Sequence, residues 1–241
     1  MGIRLLCVLI TSCCISSAFS AYANQDNICV LCGRNSESCW VDNIGAVYCQ
    51  KTLISYPDEC TNGLYIVDSR AIMIGEEAFY GNRQIQQVII SEGVIMLGEG
   101  CFSTSNIESV SLPGSLLVIA DNAFAMCNRL DEVEIPGHVY AIGRGAFIEC
   151  SAIKSISIPK STRFIGTEAF AKTGIRNLYF EGVLCSVERG FISRTASSAG
   201  PLTIHFVEWA ENDEIGDVPN IIRLFSNKPD VDFAFDIKDG F

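Results

Sequence analysis

The sequence predicts a repeat solenoid, in which short units stack into a coil with a parallel β-sheet along one face. First, a small residue followed by phenylalanine recurs at intervals of 23, 22, 23, 23 and 21 residues, at Phe79, Phe102, Phe124, Phe147, Phe170 and Phe191. Second, a hexamer ending in that phenylalanine occurs five times, from IGEEAF at 74–79 to IGTEAF at 165–170. Third, a stretch such as LDEVEIP follows each phenylalanine. Three markers in phase predict stacked copies of one unit.

The stretch after each phenylalanine has the pattern of a half-buried strand. In residues 130–135, Leu130, Val133 and Ile135 are expected to point inward. Glu132 and Glu134 alternate with them and point outward. One such strand cannot bury its apolar side alone. Copies stacked about 4.8 Å apart would form a parallel sheet with a continuous core.

Each unit also carries turn residues. A proline follows three of the strands and ends the ladder because it has no N–H to donate, at Pro113, Pro136 and Pro159. A glycine follows the apolar residue that opens four of the hexamers, at Gly75, Gly98, Gly143 and Gly166. Glycine there permits either a positive φ or a close approach of two backbones. The phenylalanines are predicted to form a stacked aromatic spine.

The combined motif, IGxxAFxxCxxLxxVxIP, resembles the BspA-like class of leucine-rich repeats. Residues 119–136 and 142–159 match it closely, and the resemblance covers about residues 64–206. Departures occur at Cys101 and Ala120 and in FEGVLCSV at 180–187, which lacks the proline. The resemblance implies a leucine-rich-repeat-like right-handed coil in a protein that is secreted or surface-exposed and associated with adhesion.

Four segments are predicted along the chain. Residues 1–23 resemble a secretory signal peptide, with one Arg before an apolar run and cleavage after Ala23 or near Ser20. Residues 24–60 form a Cys-rich N-terminal cap, 61–206 the repeats, and 207–241 an irregular C-terminal cap. The alternative is a lipoprotein box, ITSC, that would leave Cys13 lipid-anchored. No later apolar run reaches the length of a transmembrane span.

The predicted N-terminal cap contains five cysteines, Cys29, Cys32, Cys39, Cys49 and Cys60. A small cap with little apolar surface is often held by disulfides, and export to an oxidising compartment favours them. Their connectivity is open, and a zinc site built on Cys29 and Cys32 is the rival interpretation. In the C-terminal part, 202–206 is predicted to be a strand, a short helix could begin at Pro219, and 231–237 alternates like an edge strand.

The outward positions of the repeat strands form the candidate binding face. The face runs from apolar residues through serine and acid to aromatic residues, and its candidate binding residues are Ser109, Ser111, Glu132, Glu134, Ser155, Ser157, Asn177, Tyr179 and His205. Mixed polar and aromatic surfaces suit protein recognition. The alternative is that most of these residues are simply exposed to solvent and bind no ligand.

The sequence offers little for catalysis. Its two histidines are His138, in a turn, and His205, and neither a phosphate-binding loop nor a nucleophile elbow is present. Cys127 and Cys150 occupy equivalent positions three residues after their phenylalanines. They are expected to pack inside, where a disulfide between them would also be possible. No metal site and no cofactor are predicted.

Three hypotheses for function remain. The first is a secreted or cell-surface, adhesin-like protein that binds a protein or glycan, such as a host or matrix surface, through its sheet face. The second is a self-assembling coat or matrix protein. The third and weakest is a secreted hydrolase using one of Cys101, Cys127, Cys150 or Cys185. The net charge of −11 argues against nucleic acid as a partner.

Overall fold

The computed structural model describes residues 39–57, 63–182, 186–188, 190–193, 201–209, 218–225 and 230–237. The predicted signal peptide, Cys13, Cys29, Cys32, Cys60 and Cys185 lie outside these ranges. The described residues form a solenoid of parallel strands, as predicted. Its strands and helix are β1 (Cys39–Val41), β2 (Val47–Cys49), β3 (Thr52–Ser55), β4 (Leu64–Ile66), β5 (Met73–Ile74), β6 (Gln87–Ile89), β7 (Met96–Leu97), β8 (Ser109–Ser111), β9 (Val118–Ile119), β10 (Glu132–Val133), β11 (Ala141–Ile142), β12 (Ser155–Ile158), β13 (Phe164–Ile165), β14 (Asn177–Phe180), β15 (Ser186–Val187), β16 (Leu202–Trp209), α1 (Val218–Phe225) and β17 (Val231–Ile237).

Each coil contributes two strands rather than the one expected from the sequence. A short strand ends at the apolar residue that opens each of the five hexamers, and β15 takes the equivalent place before Phe191. These strands pair in parallel in the order β5-β7-β9-β11-β13-β15. The antiparallel strands β1, β2 and β3 join the β5 edge and complete a nine-stranded sheet. The expected strands after the phenylalanines lie on the other side of the coil. They form two four-stranded sheets, β4-β6-β8-β10 and β12-β14-β16-β17.

The phenylalanine of each coil lies in the core between these sheets. Five of them stack in sequence with their ring planes within 11° of parallel. The four centroid separations are 4.6, 5.1, 5.1 and 5.4 Å from Phe79 through Phe102, Phe124 and Phe147 to Phe170. The predicted aromatic spine is therefore confirmed, and it keeps successive coils at the spacing that the parallel ladders require.

The hexamer glycines serve close backbone approach rather than a positive φ. A Cβ on Gly143 would lie 2.5 Å from the backbone nitrogen of Asp121 and 2.6 Å from the carbonyl carbon of Ala120, both in the preceding coil. The left-handed residues stand instead two positions before and two positions after the spine phenylalanines, at Glu77, Gly81, Gly100, Thr104, Asn122, Met126, Gly145, Glu149, Glu168 and Lys172. At each spine phenylalanine the chain thus bends through two residues with positive φ, one on either side of the phenylalanine.

Aromatic residues continue the core into the N-terminal strands. Tyr56 lies 5.0 Å from Phe79 between ring centroids, and Tyr48 stacks on Trp40 at 4.9 Å. The hydroxyls of Tyr48 and Tyr65 are 2.5 Å apart. Burial raises the pKa of both of these tyrosines, which keeps the hydroxyls protonated. Residues 39–57 therefore cover the first coil with aromatic side chains.

The C-terminal elements match the sequence expectations in type. β16 includes the predicted strand at 202–206, and β17 lies at the edge of the last sheet, paired in parallel with β16. The helix α1 begins one residue before Pro219. It buries Ile221 and Phe225, and the ring of Phe225 meets Phe191 edge-on at a centroid distance of 5.9 Å. The boundaries of the two predicted caps remain predictions.

Candidate functional site

The structure aligns the candidate binding residues in the register expected from the sequence. Ser109 pairs with Glu132 across β8 and β10, Ser155 with Asn177 across β12 and β14, and Tyr179 with His205 across β14 and β16. Their side chains are exposed or half-buried, whereas the residues between them face the core. The outward columns therefore exist, with one interruption.

That interruption lies between β10 and β12. Within the described residues of these two strands, no backbone hydrogen bond joins 131–135 to 154–158. Val133 is half-buried, although its counterparts Val110 and Ile156 are buried. The single continuous sheet expected from the sequence is wrong at this point. We call the gap the seam, and the two sheets beside it the N-terminal panel (β4, β6, β8, β10) and the C-terminal panel (β12, β14, β16, β17).

The N-terminal panel carries an open cavity of about 740 Å³. Its walls include apolar, hydroxyl and carboxylate side chains, from Leu64, Gln87, Ile89, Ser109, Ser111, Asp131, Glu132 and Glu134. Leu64, Ile66 and Ile89 are among the most exposed large apolar residues of the described chain. Glu132 and Glu134 are exposed at the seam. This panel therefore presents an apolar half beside an acidic half.

The C-terminal panel holds a pre-arranged aromatic and polar group. The rings of Tyr179 and His205 stack with centroids 4.3 Å apart and planes within 16°. The Nε2 atom of His205 lies 3.3 Å from Oδ1 of Asn177. On the adjacent strand the Ser157 hydroxyl donates to Oε1 of Glu181 at 2.6 Å. These contacts fix the orientation of the side chains before any ligand arrives.

The structure therefore divides the candidate residues between two places. Ser109, Ser111, Glu132 and Glu134 line the N-terminal cavity, while Asn177, Tyr179 and His205 contact one another on the C-terminal panel. Ser155 and Ser157 belong to the C-terminal panel at its seam edge. The nine residues do not form one cluster.

The repeat cysteines are thiols in the core. Cys101, Cys127 and Cys150 are fully buried and are not joined by a disulfide, so the possible bond between Cys127 and Cys150 is not formed. The Cys127 thiol donates to the backbone oxygen of Phe102 at 3.0 Å, and the Cys150 thiol donates to that of Phe124 at 3.0 Å. The thiols of Cys127 and Cys150 thus link their coils to the preceding ones.

Burial also makes these thiols poor nucleophiles. It raises the pKa of Cys127 from its ordinary value of 9.0 to about 11 and raises that of Cys101 and Cys150 as well. His138 is exposed in its turn and His205 lies on the outer face of the C-terminal panel. The repeat thiols therefore lie inside the solenoid and the histidines on its outside, whereas a Cys-His pair needs the two groups in contact.

Two of the five disulfide candidates fall within the described residues. Cys39 and Cys49 are both buried and lie directly opposite each other across β1 and β2. The pairing of the five cysteines stays a prediction. No group of three or more metal-ligating side chains is close enough to hold an ion in the described ranges. In the same ranges, no helix has the length and apolar character of a membrane span.

One surface was not expected from the sequence. On the nine-stranded sheet, the side chains of Ile72, Ile95, Leu117, Tyr140 and Phe164 are 36%, 42%, 43%, 58% and 38% exposed. The signal was present in the sequence, because a large apolar residue stands two positions before the buried hexamer residue in four successive repeats. The strand beside this position has only two residues, which is too short for alternation to indicate an outer side.

Comparison with protein families identifies the repeats. The model of the BspA type leucine-rich repeat region fits residues 65–194 in six copies. None of the curated proteins matches the chain.

Several solved structures share the fold. The pneumococcal vaccine antigen PcpA superposes with a TM-score of 0.64 at 17% identity, covering 84% of this chain and 48% of its own, so this chain spans about half of PcpA. A leucine-rich cell surface protein from Faecalibacterium prausnitzii A2-165 gives 0.52 at 21% identity, covering 60% of this chain and 38% of that one. The T. pallidum leucine-rich repeat protein TpLRR gives 0.50 at 20% identity, covering 82% and 95%.

Proposed function

Because the chain belongs to the family of BspA type leucine-rich repeat proteins, we propose that it is a recognition protein that binds a protein or glycan ligand through its two panels. The observation that carries this proposal is the pre-arranged group of Asn177, Tyr179 and His205 on the C-terminal panel. Side chains that are already fixed lose little entropy on binding, and aromatic residues are frequent anchors at interfaces. Stacked repeats supply the extended surface that such recognition uses.

The N-terminal panel supports the same function. Its cavity combines exposed aliphatic side chains with the carboxylates of Asp131, Glu132 and Glu134. A ligand that spans the seam would meet apolar, acidic and aromatic surface in succession. This mixture is typical of protein recognition surfaces, and the hydroxyl and carboxylate groups would also suit the hydroxyls of a glycan.

We place the protein outside the cell, secreted or at the surface, with an adhesin-like role. The predicted leader at 1–23 and the cysteine-rich segment at 24–60 support export. The alternative anchor at Cys13 leads to the same exterior. PcpA is described as a vaccine antigen and the F. prausnitzii protein as a cell surface protein, and both share this fold.

We favour binding over catalysis. The thiols of Cys101, Cys127 and Cys150 contribute to the core and to contacts between coils, and burial raises their pKa values. These properties weaken the case for a cysteine hydrolase, which needs an accessible thiolate beside a base.

Assembly is the second candidate function. β17 pairs with β16 on one side and, among the described residues, no strand pairs with its other side. A seven-residue edge strand can recruit another chain. If sedimentation velocity showed open-ended oligomers, this candidate would replace the first.

The test is a binding screen of the purified protein on a glycan array and on immobilised extracellular-matrix proteins, followed by titration of each hit. We expect Tyr179→Ala to weaken binding at least about tenfold, because it removes the fixed aromatic anchor. His138→Ala is the control, since His138 is an exposed ring side chain in a turn that belongs neither to the panels nor to the nine-stranded sheet. Equal loss of affinity in both variants, or no loss in either, would refute a role for the C-terminal panel.

A further inference from the structure

The exposed apolar residues of the nine-stranded sheet form a continuous surface, which we call the stripe: Ile72, Ile95, Leu117, Tyr140 and Phe164. Backbone hydrogen bonds stack the first four one above another. The nitrogen of Ile95 donates to the oxygen of Ile72 at 2.9 Å, that of Leu117 to Ile95 at 2.9 Å, and that of Tyr140 to Leu117 at 2.7 Å. Half-buried apolar neighbours widen the stripe at Met73, Met96, Val118 and Ala141.

Folding does not require these side chains to be apolar. The core of the same coils is already filled by fully buried residues such as Ile74, Leu97 and Ile119, which point to the other side of the sheet. Arg163 occupies the next position after Tyr140 in the stack and is exposed, so a charged residue is accepted there. A contiguous apolar surface that the core does not explain marks an interaction site.

Carboxylates follow the first two stripe residues along the chain. Glu76 and Glu77 follow Ile72 in its coil, and Glu99 follows Ile95 in the next. All three are exposed, and within the described residues none of them forms an ion pair. They line a cavity of about 350 Å³ together with Tyr80 and Met126, whose side chains are also exposed. Lys51 is also exposed and lies beside Ile72, whose nitrogen donates to its backbone oxygen. The charges near this end of the stripe are therefore mixed, with the three carboxylates in excess of this lysine.

From this arrangement we propose that the stripe docks a basic, amphipathic segment of a partner protein. Its apolar side chains lie on Ile72, Ile95 and Leu117, and its lysines or arginines reach Glu76 and Glu99. Charge complementarity selects this occupant. A second copy of this acidic chain would bring the same carboxylates face to face, and an anionic membrane would be repelled. The inference concerns a surface separate from the panels and stands whether or not they bind.

The experiment compares two isoleucines of one coil. Ile95 is 42% exposed on the stripe, and Ile89 is 40% exposed on the N-terminal panel. The probes are three synthetic peptides of equal length that alternate Leu with Lys, Leu with Glu, or Ser with Lys. Fluorescence anisotropy measures their affinity for the purified protein, Ile95→Ser and Ile89→Ser, and thermal unfolding verifies that both variants fold.

We expect the Leu/Lys peptide to bind most tightly of the three. Ile95→Ser should weaken it at least about fivefold and Ile89→Ser should leave it unchanged. Glu99→Gln should weaken it further, with an effect that shrinks as salt rises. The proposal fails if Ile89→Ser weakens binding as much as Ile95→Ser, or if neither matters. It also fails if sedimentation shows a dimer that Ile95→Ser dissociates, or if the protein binds anionic vesicles through Ile95.

Discussion

The two sides of the solenoid come from the same coils, but they differ in continuity and in what they present to solvent. The nine-stranded sheet pairs every repeat strand with the next, although most of those strands have only two residues. The side with the panels has longer strands and is divided by the seam between β10 and β12. The continuous side presents an apolar stripe, whereas the divided side changes from apolar to acidic to aromatic along its length.

This difference shows that the inner and outer positions of a repeat obey different constraints. Inner residues such as Phe124 and Ile119 must fit a close-packed core, so they recur in every coil. Outer residues do not pack in the core, so their identity can be determined by function. The stripe and the panels are therefore separate surfaces on a shared core, and the following experiments test whether they respond separately.

The largest effect should come from the shared core. Phe124 is fully buried and stacks between Phe102 and Phe147 at 5.1 Å on each side. Phe124→Ala should lower the free energy of unfolding by about 3–5 kcal/mol in urea denaturation, because it leaves a cavity where both sides meet. Tyr140→Ala, on the surface, should change it by less than about 0.5 kcal/mol. A small effect of Phe124→Ala would mean that the two sides are stabilised independently.

A smaller loss of stability should come from a substitution at Gly143, where two coils approach closely beside the nine-stranded sheet. Gly143→Ala places a Cβ within 2.6 Å of the preceding coil and should cost about 1–3 kcal/mol of unfolding free energy. Gly137 is the matched control because no atom lies within 4 Å of the place that a Cβ would take there, and its φ is not positive. Gly137→Ala should be neutral or stabilise by up to about 1 kcal/mol. If both substitutions changed the unfolding free energy equally, the close approach of two coils would not explain why residue 143 is a glycine.

The smallest effect concerns the seam itself. Backbone amides of β12 that face β10 have no ladder partner within the described residues, whereas β14 is paired on both sides. Hydrogen exchange followed by mass spectrometry should show faster uptake at 151–158 than at 174–181, by about tenfold or roughly 1.4 kcal/mol of local opening. Uniform protection of both segments would show that the seam closes in solution.

Much of this architecture was predictable from local patterns. The spacing of the phenylalanines predicted the spine, and the alternation at 130–135 placed Glu132 and Glu134 outside. The register of Ser109 with Glu132 and of Tyr179 with His205 followed from aligning the repeats, because coils of nearly equal length stack position on position. The register of the candidate binding residues within each panel was accordingly predicted, whereas their division between two panels was not.

Other features depend on contacts between coils. The seam has no counterpart in the spacing, since Phe124 and Phe147 are 23 residues apart, like two of the other four pairs. Likewise, the pattern allowed a disulfide between Cys127 and Cys150, but their thiols reach backbone oxygens of preceding coils. The short strands that open the hexamers are not predictable from the sequence, because two residues carry too little alternation to indicate a strand.

The sequence by itself determined the repeat, its period, the inward residues and the aromatic spine, because each depends on the same local pattern in every coil. Only the tertiary structure decided where the ladders stay closed, which thiols and glycines bridge the coils, and how the outer residues gather into panels and stripe. These outcomes depend on the distance between backbones in adjacent coils, and no single repeat encodes that distance.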